Sequence, residues 1–439
     1  MKAVSTSDVS SSVAPSAMSS ASTKVPLPID AARLDDWSRE LARFSDDPAP
    51  AVKRVLYTPT DLAGRAYVHE LARAAGLSLR VDAIGNAFYR LEGRQALPAV
   101  ATGSHLDAIP NAGRFDGTVG VLGGIAALES IARAGIVPRR PLEVIAFTSE
   151  EPTRFGIGCV GSRLLAGAIT ADDVRALRDA EGRAFEEVRA EAGFSGALEE
   201  VPLVPGHFHA FVELHVEQGP VLEREGIAIG AVSAIAAPAS YEVIVRGEGG
   251  HAGGALMPTR RDALCAAAEL VIAVEDAAKR SSTGDTVGTV GICRVFPGAV
   301  NGIPNRVELT IDLRDTALSA RDAAFARIED AIARIQNERG VTIALRTLNA
   351  DPPATSDPRI VDAVEASARA LGLSSMRLPS RAYHDALFLA RVAPTGMIFV
   401  PSAGGLSHRP DEHTSPEEVA RGAEVLARTM LQLAEGTDA

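Results

Sequence analysis

The chain has 439 residues, of which 46% are hydrophobic, enough to bury a sizeable core and to form more than one domain. Its 56 acidic and 44 basic side chains give a formal net charge of −12, which argues against nucleic acid or an anionic membrane as a partner. The sequence also lacks an apolar run of the roughly 18–20 residues that a membrane span needs. Three cysteines without C-x-x-C spacing indicate reduced thiols, and we therefore expect a cytoplasmic protein.

The predicted elements follow a serine- and alanine-rich segment, 1–28, which has no periodic pattern and is expected to be a disordered tail. Helical and strand patterns then alternate along the chain. Apolar residues spaced by three and four predict helices at 62–75 and 121–131, and short apolar runs predict strands at 99–102, 142–148, 211–215 and 397–401. This alternation predicts an α/β fold with a largely parallel sheet that is covered by helices.

The pattern changes in the segment 236–346. Strands at 241–247 and 307–314 alternate apolar and polar residues, as strands with one solvated face do. Two helical stretches, 261–279 and 320–336, lie among these strands. The predicted domains are therefore a larger domain in two parts, 29–235 and 347–439, and a smaller α+β domain, 236–346, inserted between them.

Histidine or acidic residues follow four of the predicted strands. They are His105 and Asp107 after the first, Glu150 and Glu151 after the second, His215 at the end of the third and His408 after the fourth. Asp116 adds a carboxylate at the position expected to cap the 121–131 helix. In an open α/β sheet, ligands bind beyond the carboxyl ends of the strands, so these side chains are expected to meet at one edge.

Imidazoles and carboxylates together suit Zn²⁺, Mn²⁺ or Co²⁺, and one carboxylate can bridge two such ions. Each residue taken alone has a structural explanation, such as a helix cap for Asp116 or a solvated pair for Glu150 and Glu151. Their coincidence at four strand ends favours a metal site. Since only one of two adjacent glutamates can point at a metal, the other is free to accept a proton from water.

Five motifs carry a resemblance to a known family: GSHLDAIPNAGRFDG, TSEEPTRFG, ELHVEQGP, GGHAG and SHRPDEHTS. They resemble the metal-dependent aminoacylase and carboxypeptidase superfamily, and within it the ureido branch that contains allantoate, N-carbamoyl-L-amino acid and ureidoglycolate amidohydrolases. The resemblance extends from about residue 52 to the C-terminus. It implies a two-metal exopeptidase-like catalytic domain and identifies the inserted α+β domain as a lid and dimerisation domain.

The resemblance also implies two divalent metal ions per subunit, Mn²⁺ as in similar enzymes, with Zn²⁺ and Co²⁺ left open. The implied ligands are His105 and His215 for one ion, Glu151 and His408 for the other, and Asp116 as the bridge between them. Glu150 matches the general base, and Asp107 matches a residue that orients the first histidine.

The lid contributes the remaining implied residues. His251 would reach across a homodimer to the partner's site and stabilise the oxyanion, while Asn301 and Arg314 would bind the substrate. A guanidinium suits a substrate carboxylate because it can bind both oxygens. Gln218 is a plausible hydrogen-bond donor to the ureido group.

The segment 380–385 bears on the substrate. Its bulky Arg381 and Tyr383, followed by His384, resemble the ureidoglycolate enzymes of plants, whereas the other members of the branch carry small residues there. The resemblance implies hydrolysis of (S)-ureidoglycolate to glyoxylate, ammonia and carbon dioxide in purine and allantoin catabolism, with Tyr383 and His384 contacting the substrate. Allantoate and N-carbamoyl-L-amino acids remain alternative substrates, and a non-catalytic binding protein that retains the fold is an alternative from another class.

Overall fold

The computed structural model of the protein describes residues 25–436. The first 24 residues of the predicted tail therefore lie outside the described part of the chain. Leu27, which also falls within the predicted tail, is buried and belongs to the hydrophobic core. The packed part of the protein thus begins at or before Leu27, slightly earlier than the sequence pattern indicated.

The strands, in chain order, are β1 (Val52–Arg54), β2 (Ser78–Val81), β3 (Ala87–Leu91), β4 (Ala99–His105), β5 (Ala108–Ala112), β6 (Leu142–Phe147), β7 (Phe208–Val216), β8 (Ile229–Ile235), β9 (Ala237–Arg246), β10 (Gly250–His251), β11 (Val287–Phe296), β12 (Gly302–Ile303), β13 (Arg306–Asp315), β14 (Thr342–Ala350), β15 (Ala354–Thr355), β16 (Ser375–Ser380) and β17 (Thr395–Val400). The helices are α1 (Ala31–Ala42), α2 (Pro59–Ala74), α3 (Thr118–Arg133), α4 (Val160–Leu165), α5 (Ala171–Ala176), α6 (Phe185–Glu191), α7 (Val221–Glu225), α8 (Ala263–Lys279), α9 (Leu318–Arg339), α10 (Pro358–Ala370), α11 (Asp385–Leu389) and α12 (Pro416–Glu435).

The larger sheet has nine strands in the order β15-β8-β17-β7-β4-β6-β3-β2, with β16 also paired to β8. The central strands β17, β7, β4 and β6 run parallel to one another. The outer pairs β2–β3, β3–β6, β8–β17 and β8–β15 are antiparallel. The predicted α/β fold is confirmed. The pair β16–β8 is also parallel, so the sheet, which was expected to be largely parallel, is mixed.

Helices cover both faces of this sheet, and the strands direct alternate residues to each side. In β7, Val212 and Leu214 pack in one hydrophobic layer with α3, α10 and α12, whereas Phe211 packs in the other with α4, α6 and α11. Complete burial of such side chains contributes about 1.5–3 kcal/mol each, so the two layers fix the register of the central strands. Towards its carboxyl end, the side of β7 that carries Phe211 also carries Glu213 and His215.

The segment predicted to form a separate domain contains a second sheet. Its order is β11-β13-β9-β14, all pairs are antiparallel, and its strands lie within residues 237–350. Alternate residues of β13 are buried in a cluster with residues of α8 and α9: Val307, Leu309, Ile311 and Leu313. The last strand extends past the predicted boundary at residue 346.

Two further contacts concern this smaller sheet and its surroundings. The short pair β10–β12 joins His251 to Gly302, which places Asn301 beside His251. Arg381, which precedes α11, forms an ion pair of 2.6 Å with Asp285, which precedes β11.

Within residues 25–436, no helix combines the length and apolar character needed to cross a membrane.

Arg54 offers a test of how the N-terminal helix is joined to the main sheet. Its buried guanidinium donates to the carbonyl oxygens of Leu41, Phe44 and Leu106, at 2.7, 3.1 and 2.5 Å. Leu106 lies directly after β4. We expect Arg54→Met to lower the free energy of unfolding by about 3 kcal/mol or more, because it leaves buried carbonyl groups without donors. Thermal unfolding of the metal-free protein would measure this loss.

The matched control is Arg43→Met, at an exposed arginine that pairs with Glu40 on the same helix. Such surface pairs contribute about 0–1 kcal/mol, so this variant should unfold at nearly the wild-type temperature. Equal destabilisation by the two substitutions would contradict the role assigned to Arg54.

Candidate metal centre

The chemistry-bearing residues of the sequence meet at the carboxyl edge of the four central strands. His105 is the last residue of β4, His215 is next to last in β7, and Glu150 and Glu151 follow β6. His408 lies in the loop between β17 and α12, and Asp116 lies between β5 and α3. Because these strands run parallel, their ends open onto the same edge of the sheet, as predicted.

Among the described residues, three groups of side chains could each hold a metal ion, and one of them comprises Glu213, His215 and His384. The other two contain the predicted ligands. One comprises His105, Asp116 and His215, and the other comprises Asp116, Glu151 and His408. Within each group the ligand atoms lie within 4.8 Å of one another. Both groups share Asp116, the carboxylate that was expected to lie between two ions.

The oxygen atoms of Asp116 divide between these groups. Its Oδ1 lies 3.5 Å from Nε2 of His105 and 3.3 Å from Nε2 of His215. Its Oδ2 lies 3.3 Å from Nε2 of His408, which is 3.4 Å from Oε1 of Glu151. Each carboxylate oxygen therefore faces a different group, as a bridging ligand must.

The two buried histidines are oriented for ligation by Nε2. Nδ1 of His105 donates to the carbonyl oxygen of Asp107 at 2.9 Å, and Nδ1 of His215 donates to that of Val216 at 2.9 Å. With Nδ1 bound to a carbonyl oxygen, each ring directs Nε2 towards Asp116, and that nitrogen can bind a metal ion once it has lost its hydrogen. Neutral imidazoles combined with carboxylates form a donor set that suits Zn²⁺, Mn²⁺ or Co²⁺.

Asp107 acts on its surroundings through two different groups. Its backbone carbonyl accepts the hydrogen bond from His105, whereas its carboxylate lies 3.8 Å from the same ring nitrogen. The carboxylate accepts instead from the backbone N–H groups of Glu150 and Glu151, at 3.2 and 3.0 Å. Asp107 therefore holds the loop that carries both glutamates, in addition to the histidine that it was expected to orient.

Glu150 lies beside the first group, and among the described residues its side-chain hydrogen-bond donor is a thiol. Its Oε2 is 3.6 Å from Nε2 of His105, and Sγ of Cys159 donates to its Oε1 at 3.6 Å. Burial raises the pKa of Glu150 well above its usual value. A buried carboxylate with raised basicity next to a candidate metal group is suited to accept a proton from water.

The charges of the second group are set by burial and by Asp116. Burial alone would raise the pKa of Asp116, but hydrogen bonds from His105, His215 and His408 hold it well below its usual range. Burial and the nearby Asp116 charge raise the pKa of Glu151 to about 7. Asp116 thus remains ionised.

The prediction that Asp116 caps helix α3 is wrong, because the N-cap of α3 is Gly117 and no side chain caps that helix.

Gln218 and Ser407 also bind the bridging carboxylate. Nε2 of Gln218 and Oγ of Ser407 each donate to Oδ2 of Asp116 at 2.7 Å. Oε1 of Gln218 is buried and has no hydrogen-bond partner among the described residues. The sequence predicted Gln218 as a donor to substrate, but its amide hydrogens are already used, and its oxygen is the atom that remains available.

Further polar residues lie directly behind the candidate ligands. His384, predicted to contact the substrate, is buried with its ring 4.5 Å from that of His215, and its Nε2 lies 2.9 Å from Oγ of Ser380. The carboxylate of Glu213 accepts from Oγ of Ser104 and from the backbone N–H of Ala386. Glu213 was missed in the sequence, although it precedes His215 by two residues and so faces the same side of β7.

The predicted substrate-binding residues of segment 236–346, the predicted lid segment, are less closely assembled. Arg314 pairs with Asp312 at 2.6 Å, and its guanidinium lies 5.9 Å from the ring of Tyr383. His251 and Asn301 are exposed, and no described contact within this single chain joins His251 to the candidate metal groups. The bulk of Arg381 points to Asp285 of the lid segment, so Tyr383 alone of the two bulky residues lies at the site.

The family model for peptidase family M20/M25/M40 matches residues 101–432. The chain belongs to this family. The family is metal-dependent, and its members are hydrolases of amide-type bonds. Ureidoglycolate hydrolase of Oryza sativa is 49% identical over 414 residues, which cover 93% of this chain and 86% of that protein. Ureidoglycolate hydrolase of Arabidopsis thaliana is 48% identical over 417 residues, with 93% and 87% covered.

Solved structures agree with this family assignment. Crystal structures of AtUAH in complex with glyoxylate and with (S)-hydroxyglycine match with a TM-score of 0.84 and 48% identity, covering 92% of this chain and 98% of that one. An amidase of the hydantoinase/carbamoylase family from Burkholderia multivorans also has a TM-score of 0.84, at 37% identity, with 93% and 99% covered. The resemblance found in the sequence to the ureido branch is confirmed.

Gly117 provides a test of the first candidate group. It has a φ of +67°, and a Cβ atom there would overlap the imidazole of His105. We expect Gly117→Ala to displace that ring and to weaken metal binding by about tenfold or more, because metal affinity depends on ligand orientation. Titration of the metal-free protein with Mn²⁺ would measure the change.

Gly135→Ala is the matched control, since Gly135 has a φ of +69° and open space where its Cβ would lie. Both variants carry the strain of a left-handed conformation, but only one disturbs a candidate ligand. Equal loss of metal affinity in both would show that backbone strain, not contact with His105, is responsible.

Proposed function

We propose that this protein hydrolyses (S)-ureidoglycolate, releasing ammonia and carbon dioxide and leaving hydroxyglycine, which decays to glyoxylate and a second ammonia. The observation that carries this proposal is identity of 48–49% over nearly the whole chain to the ureidoglycolate hydrolases of rice and Arabidopsis. The N-carbamoyl-L-amino acid amidohydrolase of Geobacillus stearothermophilus is less similar, at 40%. The proposed role belongs to the last step of nitrogen recovery from purines, in the cytoplasm.

The two candidate groups would hold two divalent ions, with Mn²⁺ preferred and Zn²⁺ or Co²⁺ as alternatives that the same donors accept. His105 and His215 would bind one ion, Glu151 and His408 the other, and Asp116 would bridge them. When bound, the ions would supply Lewis-acid activation of water and of the carbamoyl oxygen. The orientation of the Nε2 atoms and the division of the Asp116 oxygens support this assignment.

Glu150 is the proposed general base. It would accept a proton from the attacking water, whose oxygen forms a bond to the carbamoyl carbon. The same proton would then pass to the leaving nitrogen as the carbon–nitrogen bond breaks. The carbamic acid that remains would lose carbon dioxide, which frees the second nitrogen. Burial favours this cycle because it raises the pKa of Glu150, and a more basic carboxylate accepts a proton more readily. Asp107 supports the step by holding the Glu150 backbone N–H.

Substrate recognition is proposed to involve both domains. The guanidinium of Arg314 would exchange its pairing with Asp312 for the substrate carboxylate, and Oε1 of Gln218 would accept from a ureido N–H. Tyr383 would limit the size of the pocket, with His384 behind it. We further propose a homodimer in which His251 and Asn301 of one subunit complete the site of the other, which accounts for their exposure in a single chain.

A turnover panel tests the proposed substrate. We expect kcat/KM with added Mn²⁺ to be higher for ureidoglycolate than for allantoate or N-carbamoyl-L-amino acids. The physical reason is that the ring of Tyr383 excludes a second ureido arm, whereas a merely unfilled space would cost only about 1–3 kcal/mol per methylene-sized group. Tyr383→Gly should therefore shift the preference towards allantoate.

Arg381→Gly is the matched control for the panel, because its side chain is directed to Asp285 and away from the pocket. It should leave the substrate preference unchanged. Faster turnover of allantoate than of ureidoglycolate by the unmodified protein would contradict the proposed substrate but not the hydrolase chemistry. Absence of turnover on every member of the panel, despite bound metal, would favour a binding protein.

Subunit mixing tests the proposed base and the proposed dimer together. Glu150→Gln retains the size of the side chain but cannot accept a proton, and it should lower kcat by about 10²–10⁴-fold with both metals retained. His251→Ala should also be nearly inactive. Mixed dimers of the two variants should regain activity, because one of their two sites would have both groups intact. Turnover after verified subunit exchange is the measurement.

The control mixes Glu150→Gln with Glu151→Gln subunits. Since residues 150 and 151 lie on one loop of one subunit, every site in these mixed dimers carries a defect, and no activity should return. If the His251→Ala mixture also stays inactive, His251 serves its own subunit or has no part in the reaction.

A further inference from the structure

A second carboxylate, Glu412, is buried behind the bridging residue and is not among the candidate metal ligands. It lies in the loop between β17 and α12, and its side chain is 5% exposed. Its Oε1 accepts hydrogen bonds from the backbone N–H groups of Phe115 and Asp116, at 2.9 and 3.0 Å. These two bonds fix the backbone from which the Asp116 carboxylate projects.

The other oxygen of Glu412 reaches the loop of His408. Its Oε2 lies 3.0 Å from Oγ of Ser407, the residue that precedes His408, and the same Oγ lies 2.7 Å from Oδ2 of Asp116. The hydroxyl has one hydrogen, so it donates to one carboxylate at a time. Gly113 leaves the space for this arrangement, because a Cβ atom there would overlap the side chain of Glu412.

We infer that Glu412 is a positioning residue that holds the Asp116 carboxylate and the His408 loop at the separation required by two metal ions. The inference rests on the proposed two-metal site. Asp116 and His408 come from chain segments almost 300 residues apart, and Glu412 bonds to the backbone of one and to the neighbour of the other. Groups that hold metal ligands in place usually affect metal affinity without touching the metal.

Two substitutions separate position from charge. Glu412→Gln keeps the length of the side chain and a carbonyl oxygen for both N–H groups, and its amide can donate to Ser407, which leaves the hydroxyl hydrogen for Asp116. Glu412→Asp keeps the negative charge but is one methylene shorter and cannot reach both segments. If position matters, the glutamine variant should resemble the wild type and the aspartate variant should not.

The readout is Mn²⁺ affinity, measured on metal-free protein by competition with a chelator. We expect Glu412→Gln to bind within about threefold of the wild type, and Glu412→Asp and Glu412→Ala to bind about 10–100-fold more weakly. Asp411→Asn is the control, because Asp411 is the exposed neighbour that pairs with Arg409, and it should bind like the wild type. Thermal unfolding of each metal-free variant checks that it is folded.

Three results would overturn the inference while leaving the proposed metal site in place. Wild-type affinity in Glu412→Ala would show that Glu412 positions nothing. Wild-type affinity in Glu412→Asp with loss in Glu412→Gln would show that its charge matters and its reach does not. If the shorter variants fail to fold, the glutamine variant decides alone, and a loss of about tenfold or more contradicts the inference. Failure of the wild type to bind two ions would instead reject the proposed metal site, and this inference with it.

Discussion

Burial of the Asp116 carboxylate costs hydration energy, and three imidazoles, an amide and a hydroxyl group offset that cost in the structure. These groups come from three separate segments, at the carboxyl ends of β4 and β7 and after β17. Without the ionised carboxylate between them, the histidines of both candidate groups would lose the partner that draws their Nε2 atoms together. The rest of the site depends on this contact, because each loop at the edge of the sheet touches Asp116 or a residue that touches it.

The parallel centre of the sheet makes this convergence possible. Only strands that run in the same direction deliver their following loops to the same edge, and β17, β7, β4 and β6 do so as neighbours. The antiparallel strands at the margins extend the sheet without contributing candidate ligands. In this mixed sheet, the central strands therefore carry the candidate ligands, and the outer strands enlarge the sheet and cover the hydrophobic core.

Much of this arrangement could be predicted because it depends on local pattern. Apolar periodicity located the strands that precede His105, Glu150, His215 and His408, and alternation located β9 and β13, two of the four strands of the smaller sheet. The wrong predictions concern side-chain contacts, which a periodic sequence pattern does not reveal. Asp116 has the spacing of a helix cap, but its side chain is turned towards the histidines, and Gly117 occupies the cap.

The same limit explains the residues that were missed or given the wrong contacts. In the sequence, Glu412 is an ordinary acidic residue of a polar loop, and its role was missed. The fold brings its side chain to the backbone of Asp116, 296 residues away. Arg381 was expected to bear on the substrate because of its bulk, but its side chain pairs with the oppositely charged Asp285. Side-chain direction depends on partners from distant segments, which a sequence pattern does not contain.

The position of β17 has a consequence for the order in which the protein is made. This strand lies between β8 and β7 and pairs with both, yet it follows the whole lid segment in the chain. Until it leaves the ribosome, β7 and β8 present unpaired edges that are open to incorrect pairing with other strands. The lid segment, made earlier and containing its own sheet and core, can fold during that interval. The main sheet is thus completed late, by a strand inserted at its centre.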